Sequence, residues 1–445
     1  MDHVEKLISD VKLSSVVPGR ITGDDKLQHE FTNMDLIMKL HYIKALYFFK
    51  NDVVEGLHIH DLKLPMFNLL ELYYPISGRI RRYDGGDGGG GGGRPFMKCN
   101  DSGVRVVEAK CKNKTIDEWL AMNDNDHDEE LVYDQLLGPD LGFSPLVFIQ
   151  FTWFKCGGMS IGLSWAHILG DSFSASNFLN IWAKIMVGQQ ISPQFLHKST
   201  KTNKLINNNN NNNPILSTIT KFPFSLKRVD PVGDHWKITN NIKMQSHSFH
   251  ITQNQLNQLV SNVCGTYNKV KPFDVICATL WKMLAKVRGE YSSEPAIVTI
   301  IRGDHDSETT EAVSSNNQVT ISTVEANDIK VSDVDTSELT ELIGEKTVDE
   351  TRIVEELMKK ENGVSDFIVY GANLTFVNLE EAMIYDLEVR GKKPIFASYN
   401  ISGVGDEGVI LVLPRLEGGR IVNLVLPKKQ IEGLKNKMRE ELGIF

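Results

Sequence analysis

FKCGGMSIGLSWAHILGDSFSASNFLNIWAKIM, Phe154 to Met186, is the stretch on which the reading of the fold turns. Cys156-Gly157-Gly158 reads as a turn leaving the apolar run that ends at Phe154. In MSIGLSWAH, Met159, Ile161, Leu163, Trp165 and His167 share one face, and Ser160, Gly162, Ser164 and Ala166 the other, the alternation of a strand. Gly170 breaks that strand. Phe178, Trp182 and Ile185 then recur at helical spacing, so a helix begins at Ser172 with Asp171 as its N-cap. His167 falls at the strand's end, on its bulky apolar face. His167 and Asp171 form an HxxxD pair, which a chain with 12 histidines shows about once by chance. Two readings stay open. His167 is a satisfied core histidine, or it is a desolvated, neutral general base that takes a proton from a hydroxyl or amine attacking an activated acyl group.

Outward from this segment, Leu146 to Phe154 and Leu131 to Leu136 read as strands. Asp35 to Lys50 puts Leu36, Leu40, Ile43 and Tyr47 on one helical stripe, and Leu57 to Tyr74 is a second amphipathic helix ended by Pro75. Pro272 to Val287 is a third helix, with Ile276, Leu280, Trp281 and Leu284 facing the core. Val409 to Pro414 and Ile421 to Pro427 suit paired, buried strands joined through a Gly-Gly turn. Strands and helices occur in both halves without a βαβ rhythm, so an α/β fold with mixed sheets is expected and a Rossmann fold is not. Eight of the 35 glycines lie between Gly85 and Gly93, a loop expansion that cannot pack side chains. The asparagine run Asn207 to Asn213 sits in a polar connection. The expected division is 1–188, a linker over 189–222, and 223–445.

Across 445 residues, 48 basic and 57 acidic side chains give a charge of −9, which argues against a general nucleic-acid binder. The N-terminus has no apolar core of signal-peptide length, and no run approaches the ~20 apolar residues of a membrane span. Five cysteines form no CxxC pair, as expected of a reducing compartment. No GxSxG elbow, Walker loop or metal-spaced His/Cys cluster is present, so no metal is expected. The acidic run Asn123 to Glu130 lacks EF-hand spacing and reads as solvated surface.

With these motifs in view, the chain resembles the BAHD acyltransferases. FKCGGMSIGLSWAHILGD is similar to that family's F-x-x-G-G-x-x-x-G-x-x-x-x-H-x-x-x-D signature, YYPISGR (Tyr73 to Arg79) to its Pro-x-x-Gly-Arg element, and PFDVICATLWK to its second-domain helix. The resemblance implies two similar domains of the chloramphenicol-acetyltransferase type with a channel between them. His167 would stand at the channel's midpoint as general base, with acyl-CoA as substrate or ligand and no resident cofactor. Asp171 would support the motif structurally.

One element departs. The family's Asp-Phe-Gly-Trp-Gly before Lys-Pro falls on Glu388, Val389, Arg390, Gly391 and Lys392. Basic side chains replace both family glycines, and Arg390 and Lys392 are expected to resist the φ > 0 that glycine permits. By analogy Glu388 would pair with Arg302. This degenerate motif, with LSSVVPGR, CNDSGVRVVEA, LVYDQLLGPDLGFSPLVF and GANLTFVNLEEA, is similar to the plant eceriferum/glossy branch of cuticular-wax proteins. That branch implies very-long-chain fatty acid elongation, with the chain a non-catalytic accessory of a 3-ketoacyl-CoA synthase. A monomer would then work peripherally at the cytosolic face of the endoplasmic reticulum and in the cytosol. The alternative is an active acyl-CoA-dependent O- or N-acyltransferase using His167.

Overall fold

The computed structural model describes residues 6–83, 92–122, 125–191, 221–263, 270–289, 294–304, 316–327 and 329–443. The asparagine run, most of the expected linker and most of the glycine tract lie outside them.

The first sheet has six strands in the order Ser9–Val16, Val104–Cys111, Val147–Phe154, Met159–Ala166, Tyr42–Phe49 and Phe396–Ser402. Val104–Cys111 and Val147–Phe154 run parallel, and the other neighbours antiparallel. The second sheet has seven strands and is also mixed. Val409–Pro414 lies between Arg420–Pro427, antiparallel, and Leu374–Asn378, parallel. The paired strands expected near Val409 and Ile421 are therefore present. Helices Ile59–Leu72 and Ser172–Met186 pack together, and the Trp182 indole N–H donates to the Leu62 carbonyl at 3.0 Å. Pro272–Gly289 and Lys428–Leu442 bury Trp281, Leu284, Ile431 and Leu434 in the core of the second sheet.

The last strand of the first sheet comes from late in the chain. Phe396–Ser402 crosses over and pairs with Tyr42 through Phe48. Tyr399 and Tyr47 join hydroxyls at 2.6 Å, and Ser176 joins Tyr399 at 2.8 Å. The two sides of the asparagine run thus share a sheet as well as a core, in which Leu36, Ile37, Ile301, Ile321, Val354 and Tyr370 belong to one cluster.

Two expected elements are corrected. The helix expected over Asp35 to Lys50 stops at Ile37, and Tyr42–Phe49 is a strand. Seven of its eight residues are buried because the strand lies inside the sheet with both faces covered. A continuous apolar run fits period 3.6 as well as period 2. Leu131 to Leu136 is not a strand. Leu131 closes a 3-10 turn from Asn125 and a loop follows. Leu131 and Val132 are apolar because that loop lies on the sheet. A Cβ at Gly162 would come within 2.0 Å of the Leu131 carbonyl oxygen, so the loop's close approach needs glycine there.

Candidate functional site

His167 opens a short 3-10 turn, His167–Leu169, directly after the strand Met159–Ala166. Its backbone N–H donates to the His41 carbonyl at 3.0 Å, which extends the strand pairing by one bond. Gly170 follows at φ +143, a conformation open to glycine and strained for other residues. The Trp165 indole N–H caps the turn by donating to the Gly170 carbonyl at 3.0 Å. Asp171 then starts the long helix. Its Oδ1 accepts the Ser174 N–H at 2.9 Å, an N-cap bond, and its Oδ2 accepts the Gln318 N–H at 3.0 Å. Both contacts are backbone contacts, and no bond joins the Asp171 carboxylate to the imidazole.

Asp35 repeats the device. It closes a capping box with Thr32 on the short helix Asn33–Ile37, and its Oδ1 accepts both the backbone N–H (2.9 Å) and the side-chain amide (3.0 Å) of Asn317. The same Asn317 amide donates to the His167 carbonyl at 2.9 Å. Two buried carboxylates from the first half thus clamp Asn317-Gln318 of the second. Burial pushes the Asp35 carboxyl above its ordinary range, and the hydrogen bonds it accepts from Thr32 and Asn317 pull the other way.

The imidazole of His167 is 1% exposed. Its Nε2 lies 2.9 Å from the hydroxyl of Tyr370, which is also buried. Its Nδ1 is buried with no partner but its own carbonyl nearby. Desolvation lowers the His167 pKa, against smaller raising effects of that carbonyl, Asp171 and Asn317, so the ring is neutral. Desolvation likewise raises the Tyr370 pKa, so its proton stays on oxygen. Tyr370 has one side-chain polar partner, Nε2. A neutral ring with its proton on Nδ1 therefore accepts the tyrosine O–H at Nε2. The lone pair that a general base would use is already engaged.

Tyr370 stands between two histidines. Its ring meets His41 edge-on, with centroids 4.8 Å apart, and lies tilted against His167 at 5.4 Å. His41 is fully satisfied: Nδ1–H donates to the Gly403 carbonyl at 2.7 Å, and Nε2 accepts the Val369 N–H at 3.1 Å. Burial, and the neighbouring His167, lower its pKa to about 3.

The segment over Glu388 to Lys392 lies elsewhere. Val389 and Lys392 exchange two backbone bonds of 3.0 Å, making a two-residue hairpin with Arg390 at φ +51 and Gly391 at φ +73. Two positive φ values are those of a type I′ turn. Arg390 was expected to resist that conformation and instead adopts it. Its guanidinium is anchored by donating to the Glu55 carbonyl at 2.7 Å. Val389 is buried, whereas Glu388, Arg390, Gly391 and Lys392 are exposed. Arg302 does not pair with Glu388. It donates to Asp274 at 2.8 Å and stacks over Phe273. Among the described residues no group of three metal-ligating side chains comes together.

The model of the Transferase family matches residues 10–441. The chain belongs to this BAHD transferase family. Protein ECERIFERUM 2 of Arabidopsis thaliana is 40% identical over 435 residues, covering 97% of the chain and 98% of the relative. Protein ECERIFERUM 26 of the same plant is 37% identical over 97% of the chain and 96% of the relative. Vinorine synthase superposes with a TM-score of 0.69 at 16% identity, covering 98% of each chain. TRI101 of F. graminearum, solved with coenzyme A and deoxynivalenol, does so with a TM-score of 0.68 at 14% identity, over 92% of this chain and 97% of that one. These structures share the chloramphenicol-acetyltransferase-like architecture expected from the sequence. In this BAHD protein, the sequence marks Asp35 only as a helix start and gives no sign that Tyr370 and Asn317 meet His167. Tyr370 and Asn317 carry no motif, and they lie 203 and 150 residues from His167.

Proposed function

We propose that this BAHD-fold protein promotes very-long-chain fatty acid elongation for cuticular wax as a non-catalytic accessory of a 3-ketoacyl-CoA synthase. The likeness to the ECERIFERUM proteins supports the biological setting. The observation that carries the non-catalytic reading is the 2.9 Å bond between the Tyr370 hydroxyl and His167 Nε2. A base whose lone pair is held by its own chain, inside a buried site, is ill placed to activate an acceptor. The Glu388 to Lys392 hairpin is a second departure from a working transferase. In this reading acyl-CoA is a ligand at most. The synthase brings the chain to the cytosolic face of the endoplasmic reticulum, since no helix of the described residues is long and apolar enough to cross a membrane.

The second reading, an acyl-CoA-dependent O- or N-acyltransferase with His167 as general base and Asp171 holding the motif, draws on the neutral ring, whose Nε2 is an acceptor when Nδ1 carries the proton. Expression in a yeast host separates the two. The chain together with a 3-ketoacyl-CoA synthase should lengthen the fatty acids beyond those made by the synthase alone, and the two should co-purify. The proposal is refuted if the product profile is the same with and without the chain.

A further inference from the structure

The bond that idles His167 also defines what would release it. The tyrosine hydroxyl sits at hydrogen-bond distance from Nε2, where the hydroxyl of an acyl acceptor would have to lie to lose its proton. The ring itself is set as a base requires. The ring is neutral and desolvated. Its backbone is fixed on both sides, by the His41 carbonyl and by the Asn317 amide. Gly170 and Asp171 set the turn that aims it. Tyr370 is held just as firmly. Its carbonyl accepts the Gly405 N–H at 2.9 Å, and the next residue, Gly371, takes φ +86 with its N–H on Thr375 Oγ1 at 3.2 Å. A Cβ at Gly371 would lie 2.5 Å from the Gly405 oxygen, so the two backbone strands that hold the tyrosine are in contact.

We propose that Tyr370 is a built-in acceptor mimic that silences His167, and that removing its ring turns the chain into a His167-dependent acyl-CoA hydrolase. With Tyr370→Ala, the vacated space beside Nε2 is polar enough at the imidazole to hold water. Nε2 takes a proton from that water as its oxygen attacks the thioester carbonyl carbon. The carbon–sulfur bond then breaks, and the imidazolium returns the proton to the leaving sulfur. One acyl-CoA and one water give one carboxylic acid and one free CoA thiol, and no other reactant is needed. This is independent of the accessory role, which can hold whether or not the silenced base can be freed.

The test uses purified full-length chain, a short acyl-CoA as probe, and a colorimetric thiol reagent for CoA release. Tyr370→Ala should release CoA about 10²-fold faster than wild type, the lower range for positioned general-base catalysis. The double variant Tyr370→Ala/His167→Ala should return to the wild-type rate. Tyr370→Phe keeps the packing and removes only the donor. A donated hydrogen bond stabilises the neutral ring, so the His167 pKa, followed by its imidazole proton resonance, should rise in Tyr370→Phe. Release that persists in the double variant, a folded Tyr370→Ala with no release, or an unmoved His167 titration in Tyr370→Phe overturns the proposal.

Discussion

Acidification should loosen this fold through His41, by an amount the structure lets one estimate. Both ring nitrogens are committed in the neutral form, Nδ1–H to the Gly403 carbonyl and Nε2 to the Val369 N–H. Protonation would place an Nε2–H against the Val369 N–H, in a site without solvent and beside His167. The pKa accordingly falls from 6.5 to about 3. A group with a depressed folded-state pKa stabilises the fold above its unfolded value and loses that contribution as the pH falls towards the folded value. The window is therefore pH 6.5 down to 3. The full shift of about 3.5 units is worth roughly 5 kcal/mol, of which about 2 kcal/mol is lost by pH 5, where most unfolded chains already carry the proton. The assay is urea denaturation at pH 7, 6 and 5, on wild type and on His41→Asn. Subtracting the variant's slope removes the titrating groups that are not coupled to His41. A difference of about 2 kcal/mol between pH 7 and pH 5 is expected. Equal slopes for the two proteins, or a His41 resonance titrating near 6.5, would refute the reasoning.

Two further perturbations probe the join between the halves. Asp171→Ala removes a helix cap and strands the Gln318 N–H, so it should cost roughly 2–4 kcal/mol in urea unfolding. Asp171→Asn, which keeps one acceptor oxygen, should recover about half of that. Lys39 is buried against Asp366, with Nζ 2.7 Å from its carboxylate and on the carbonyls of Val364 and Ser365. Lys39→Met leaves that carboxylate without its counter-charge and should destabilise by about 3–5 kcal/mol. Lys39→Met/Asp366→Asn should be more stable than the single variant, because the buried charge is gone.

The sequence was legible where its pattern had one solution. The alternation of Met159 to Ala166, the stop at Gly170 and the cap at Asp171 correspond to single local geometries, and the structure contains them. Tyr42–Phe49 was misread because a strand covered on both faces loses the polar residues that mark its period. Arg390 at φ +51 was unexpected because propensity alone disfavours it, while the Glu55 carbonyl and the Val389–Lys392 pairing hold the turn. The crossing strand Phe396–Ser402 and the Tyr370–His167 bond are pairings between distant segments, for which a single sequence offers no local signal. The surroundings of the histidine, more than the motif that announces it, separate a working base from an idle one.

The most direct measurement is the fatty acid profile of yeast carrying a 3-ketoacyl-CoA synthase together with either the wild-type chain or His167→Ala, with equal amounts of both proteins shown by immunoblot. The accessory account predicts the same gain in the longest acyl chains from both. Loss of that gain in folded, equally abundant His167→Ala would contradict it and assign the activity to acyl transfer at His167.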